Sequence, residues 1–246
     1  MQKRILPHSP LSIIKLITVS IKSYFTIFPC IIGMVILSSV GHLAIAPIFL
    51  QNSAFGSIAA IGFVFFTWFL FTAIFAKTNT ILSGDKMTTS GALQLAKRRY
   101  LWVLGSNIIF FGIGLIMLLL IYTMNLLFDL VDLHPIFLIL SAILSIIIFT
   151  YLYFAVPEIA LTNVAILKGF ENSIRLVRYH WWRTFIVLAL VGLAILGLEA
   201  LGILFTGKSR LFFFSGYQCL AQIVLYPLIM SVTSVLLNDL KLRNQH

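Results

Sequence analysis

Few side chains in this chain have the type and spacing that bond-making chemistry needs. Asp129, Asp132 and His134 form the one carboxylate–imidazole cluster. Oxygen and imidazole donors so spaced can hold a divalent cation, but Pro135 follows at once, and the cluster reads as a solvated loop leading into a helix. No metal is expected there. Glu199, His42, Gln218 and Gln222 are polar groups within apolar runs, the class of residue that marks ion or solute paths in membranes. No Gly-rich phosphate loop, paired histidines on a helix, nucleophile elbow or acidic metal cluster occurs, so the sequence supplies no nucleophile–base pair. We expect a non-enzymatic protein with no catalytic residue and no cofactor.

The elements around these residues are set by composition. Hydrophobic residues make up 61% of the 246, charged residues 10%, and mean hydropathy is +1.07. A soluble surface cannot be built from so few charges. The chain is therefore expected to be an all-α integral membrane protein, a single multi-pass domain. The net charge of +10 is distributed between long apolar runs, which favours a membrane surface and not nucleic acid as the partner. Cys30 and Cys219 lie inside apolar stretches and read as small buried hydrophobes, not as a disulfide or metal pair.

About 20 apolar residues cross a hydrocarbon core. Residues 23–76 carry no charge, enough for two crossings, with Pro47 and Gln51-Asn52-Ser53 turning the chain midway. Six spans are expected, at about 25–46, 57–77, 101–124, 135–157, 184–205 and 214–236. The first is read as uncleaved: Pro47 sits just after the small-residue stretch Ala44-Ile45-Ala46, an unfavourable cut, and the charged leader extends to Lys22.

Fifteen Lys and Arg fall on one side of this arrangement and two, Lys208 and Arg210, on the other. The positive-inside rule then puts both termini in the cytoplasm. Trp102, Trp181 and Trp182 all fall at the basic interface, where an indole has its ring in acyl chains and its N–H among headgroups.

The three helix pairs share a plan. Each follows a basic, amphipathic segment and a basic–aromatic junction, "IKSYFTIF", "KRRYLWVL" and "VRYHWWRTF". Lys22, Arg98 and Arg178 recur at nearly fixed intervals. Helices at about 10–24, 88–100 and 163–182 are expected to lie in the headgroup plane, or else to pack on the bundle as ordinary cytoplasmic helices. In the last, Leu167, Phe170, Ile174, Val177 and Trp181 recur at steps of three and four, away from Lys168, Glu171, Arg175 and Arg178. Glu171 and Arg175 stand in the favourable i,i+4 order. The first segment shows a like stripe at Ile14, Ile17, Ile21 and Tyr24, the middle one at Leu93, Ala96 and Tyr100. Each repeat has an even number of spans, so the copies are expected to be parallel, unlike the inverted repeats of many transporters.

The stretch "YLYFAVPEIALTNVAILKGFENSIRLVRYHWWRTFIVLALVG" resembles the signature of the YciC-like inner-membrane proteins, and is similar to the membrane domain attached to some glycerophosphodiester phosphodiesterases. Pro157, Ser173, Leu176, Trp182 and Arg183 occupy the matching positions. The resemblance covers the chain from about residue 130 onward. It implies a multi-pass protein of the bacterial inner membrane and carries over no active-site residue.

Two functional expectations follow. In the first, the protein organises or handles lipid, its partners being anionic headgroups at the cytoplasmic face. The contact residues are then Lys97, Arg98, Arg99, Trp102, Lys168, Arg175, Arg178, Trp181, Trp182 and Arg183. In the second, it is a small transporter whose outward-facing polar pocket uses His42, Glu199, Gln218 and Gln222. Glu199 lies roughly 24 Å of helical rise into span five, where it either lines that pocket or reaches the outer interface near Lys208 and Arg210.

Overall fold

The computed structural model describes residues 5–7, 9–50, 54–128, 134–162, 164–206 and 211–245. Among these the protein is all-helical: α1 Ile13–Leu50, α2 Ala54–Leu82, α3 Thr89–Phe128, α4 His134–Leu152, α5 Ala155–Leu161, α6 Ile166–Val177, α7 Trp181–Thr206 and α8 Leu211–Arg243. Six helical stretches are long and apolar enough to cross a membrane, lying in α1, α2, α3, α4 with α5, α7 and α8. This is the architecture expected of a six-span membrane protein, since in hydrocarbon only a helix satisfies its own backbone polar groups.

The amphipathic segments behave unequally. The first two are not separate helices: residues 13–24 continue into α1 and residues 89–100 into α3. No Gly, Pro or polar turn interrupts "IKSYF" or "KRRYLWV", so helical hydrogen bonding carries on through both junctions. Only the third stands apart, as α6. The chain breaks at Arg178-Tyr179-His180, where the His180 N–H donates to the Val177 carbonyl at 2.9 Å. The three segments are therefore not structurally equivalent repeats.

The single domain read from the sequence consists of two compact units. The first comprises residues 1–100 and 182–246. Its interior is formed by α1, α2 and α8, with Leu16, Ile27, Ile31, Phe75, Met230 and Leu237 fully buried. Small hydroxyl residues share that interior. Ser20, Ser23 and Ser231 are buried, and the Ser231 Oγ donates to the Ser20 carbonyl at 2.6 Å. Small residues let helix backbones approach closely where lipid tails are as apolar as any leucine. The stripe of Ile14 and Ile21 is accordingly exposed, at 79% and 49%. Cys219 is buried as expected, while Cys30 is exposed.

The N-terminal segment is tied into the same unit. The Leu82 carbonyl at the end of α2 accepts from Ile5 N and Leu6 N, each at 3.0 Å, so the N-terminal segment satisfies a carbonyl at a helix end. Gly84, at φ 93°, adopts the left-handed conformation that turns the chain just beyond.

The second unit, residues 101–181, holds the rest of α3 with α4, α5 and α6. Pro157 is the third residue of α5 and not the terminus of the fourth span; at that position its missing N–H costs no intrahelical bond. The paired helices α5 and α6 approach closely because Gly169 has no side chain: a Cβ there would strike the Ile159 side chain.

Candidate functional site

The most amphipathic helix is α6. Its buried face is Gly169, Phe170, Ser173, Leu176 and Val177. Of the stripe expected from the sequence, Phe170 and Val177 are on that face, but Leu167 and Ile174 are exposed, at 78% and 43%. Glycine and serine replace them because the helix rests against other helices, where a small side chain allows contact. Leu167 and Ile174, seven residues apart, form a separate apolar flank beside the charged back of the helix.

That charged back carries Lys168, Glu171, Arg175 and Arg178. The expected Glu171–Arg175 pair is replaced by Lys168–Glu171, at 3.0 Å and solvent-exposed on both sides. Arg175 instead donates from Nη2 to the Asn172 Oδ1 at 3.2 Å. The Arg178 guanidinium lies 5.5 Å from the centre of the Tyr179 ring, a cation–π contact. Among the described residues neither Arg175 nor Arg178 takes part in an ion pair.

Ser173 fixes where this helix sits. Its Oγ donates to the Tyr151 carbonyl at 2.7 Å and accepts from Phe154 N at 3.1 Å. These are the two sides of the break between α4 and α5, so one buried hydroxyl satisfies backbone groups on each. At the other end, Ile166 packs where a Cβ on Gly105 of α3 would be. The motif positions Ser173 and Leu176 are thus both packing positions.

The ten residues grouped from the sequence divide between the units. Trp102, Lys168, Arg175, Arg178 and Trp181 belong to the second unit, and Trp102 is 48% exposed. In the first, Lys97 and Arg98 are exposed, Arg99 is half-buried, and Trp182 is 69% exposed. Arg183 is different. Its Nε donates to Asp239 Oδ2 at 2.9 Å and its Nη2 to the Leu11 carbonyl at 2.6 Å. A guanidinium so engaged is not free to take a phosphate in bidentate geometry, which removes Arg183 from the headgroup set.

Three buried charged side chains escaped the sequence reading: Asp239, Lys77 and Glu158 of α5. Asp239, fully buried, also accepts from Arg243 Nε at 3.0 Å and from Leu11 N at 2.7 Å. Its position as the only acid in α8 was the available signal. Lys77, at the expected end of the second span, is 7% exposed, and its Nζ donates to the Cys30 carbonyl at 2.6 Å and Thr89 Oγ1 at 2.8 Å. Nothing in the sequence marks that burial.

The outer polar residues are placed only in part. His42, Glu199 and Gln218 fall within α1, α7 and α8, but their side chains lie outside the described residues, as do Asp129, Asp132, Lys208 and Arg210 altogether. Gln222 is half-buried, with a buried Oε1 that has no hydrogen-bond partner among the described residues. Nearby in sequence, the Tyr217 hydroxyl donates to the Leu198 carbonyl, and the Tyr217 ring packs on Gly202.

No protein-family model, curated protein or solved structure matches this chain.

Proposed function

We propose that this multi-pass membrane protein holds anionic phospholipid at its basic face through α6, as a lipid-organising protein and not an enzyme. The observation that carries the reading is the join of two surfaces on one short helix. Leu167 and Ile174 form an exposed apolar flank, and Arg175 and Arg178 stand beside it outside any ion pair among the described residues. A helix with that section lies in the interface, its apolar flank among acyl chains and its cations among phosphates. The sequence resemblance to YciC-like proteins supports a bacterial inner membrane, and the bias of basic residues supports cytoplasmic termini.

The test is lipid co-purification from native membranes with Arg175→Ala and Arg178→Ala combined. Arg183 is left intact because its loss would disturb Asp239. Each cation near an anionic surface contributes about 1 kcal/mol, so losing two lowers retention of phosphatidylglycerol and cardiolipin about 30-fold. Equal retention by the folded variant and the native protein would refute the headgroup contact.

A transport reading draws on one observation, the buried Gln222 Oε1, which has no hydrogen-bond partner among the described residues. It requires Glu199 or His42 as the coupling group. Unchanged solute uptake in Glu199→Gln and His42→Ala proteins would end it.

A further inference from the structure

Within the second unit, α3 and α4 flank an open apolar crevice of about 420 Å³, whose lining includes the exposed Phe111, Leu115 and Leu118. Phe110 and Phe149 meet edge to face at 5.8 Å, and beyond them the walls stand apart, lined by Ile113, Gly114, Met117 and Ile148. A Cβ on Gly114 would meet nothing within 4 Å, so a larger side chain there would project into the crevice. Ser145 is the sole hydroxyl residue on the lining, and its Oγ donates to the Ser141 carbonyl at 2.8 Å. No hydrogen-bonding demand is left inside the crevice.

Both walls belong to membrane-spanning stretches, so whatever enters is apolar and at hydrocarbon depth. One end of the crevice is defined by Leu152, next in sequence to Tyr151, whose carbonyl holds Ser173 of α6. At the same end Ile166 of α6 packs over Gly105 of α3. Helix α6 therefore spans the two helices that wall the crevice, and carries Arg175 and Arg178 on its outer side. An apolar slot at hydrocarbon depth, with a cationic helix packed on both of its wall helices near one end, is complementary to an anionic phospholipid: chain in the slot and phosphate at the arginines.

We infer that the α3–α4 crevice is an acyl-chain site, and that α6 and the crevice together hold a single anionic phospholipid. This rests on the headgroup reading given above and adds a chain-binding element to it. The driving force within a bilayer is not hydrophobic, because the chain leaves one apolar medium for another. It is contact: a chain fitted between Phe110, Met117 and Ile148 fills a void that a disordered neighbouring lipid fills poorly.

The experiment uses the full-length protein in mild detergent, stripped of lipid and offered phosphatidylglycerol, with bound lipid counted by native mass spectrometry. Three proteins are compared: wild type, Gly114→Phe, and Arg175→Gln with Arg178→Gln. We expect one tightly retained lipid on the wild type, about tenfold weaker retention in Gly114→Phe and about 30-fold weaker retention in the arginine variant. Glycerophosphoglycerol, the same headgroup without chains, should not compete. Retention lost in the arginine variant but unchanged in Gly114→Phe overturns the chain site and leaves the headgroup reading standing. Retention unchanged in both overturns the two together. Lipid-sensitive dimers of the wild type that disappear in Gly114→Phe would make a second copy the occupant, and likewise overturn the proposal. Should Gly114→Phe fail to fold, substoichiometric phosphatidylglycerol bearing a photoreactive acyl chain is crosslinked to the wild type. Labels concentrated on residues 110–121 and 145–152 support the chain site; labels spread over every lipid-facing helix overturn it.

Discussion

Arg183 and Asp239, 56 positions apart, meet at 2.9 Å, and the Leu11 peptide completes the arrangement. Asp239 Oδ1 accepts from the Leu11 N–H, while the Leu11 carbonyl accepts from Arg183 at 2.6 Å and from Arg243 at 2.5 Å. One carboxylate, two guanidiniums and the backbone N–H and carbonyl of Leu11 thus satisfy each other where the N-terminal segment, α7 and α8 come together. The arginines are 14% and 25% exposed and the aspartate not at all, so the carboxylate is the member whose removal leaves charge stranded.

Asp239→Asn should therefore be costly, because both guanidiniums lose their counter-charge while still largely desolvated. Breaking a buried ion pair from one side costs about 3–5 kcal/mol. Denaturation of the purified protein in mixed micelles measures it. A loss under about 1 kcal/mol would show the cluster to be no stronger than a surface pair.

Lys77 is the contrasting case. Its ammonium is buried against a carbonyl and a hydroxyl, with no ion pair among the described residues. Replacing it with methionine removes a desolvated charge together with the hydrogen bonds it makes, and strands no opposite charge. Lys77→Met should change stability by about 1 kcal/mol or less in the same assay. A loss as large as that of Asp239→Asn would mean that Lys77 has an anionic partner in the folded protein.

The six spans were legible because long uncharged runs can do little else than cross a membrane. The faces of those helices were not. Apolar periodicity marks the core of a soluble protein, but here lipid competes for the same side chains. Ile14 and Ile21 face outward while Leu16, Ser20 and Ser23 are inside; Leu167 and Ile174 face outward while Gly169 and Ser173 are inside. In α6 the charged back was read correctly and the ion pairing was not, since Glu171 can reach Lys168 as easily as Arg175. The Arg183–Asp239 contact depends on how α7 and α8 pack, which no local pattern encodes.

Ser173 gives a prediction about the helix break. Alanine there leaves the Phe154 N–H without its acceptor in a buried setting, at a cost of about 1–3 kcal/mol. Ser173→Ala should also loosen α6, increasing hydrogen exchange at residues 166–177 more than in α4. Uniform exchange changes, or none, would show that Gly169 and Phe170 packing positions the helix without the hydroxyl. Threonine keeps the hydroxyl, so Ser173→Thr should retain most of the protection.

Membrane orientation provides the last prediction, and the structure separates cations committed to buried contacts from cations that stay exposed. Reporters fused at residues 90, 165 and 246 are expected in the cytoplasm, and those near 52, 130 and 208 outside. Fifteen cations favour that orientation and two oppose it, but they do not all do the same work once the protein is folded. Arg183 and Arg243 are committed to Asp239, and Lys77 is buried. Orientation is chosen during insertion, before those contacts exist, so all fifteen should count equally toward topology. Neutralising exposed Lys97 and Arg98, or committed Arg183 and Arg243, should then weaken the reporter bias to a similar degree, while only the second pair lowers stability. If the second pair alone disturbed orientation, topology would be set by folding and not by charge at insertion. An external reporter at residue 246 in the native sequence would overturn the cytoplasmic assignment itself.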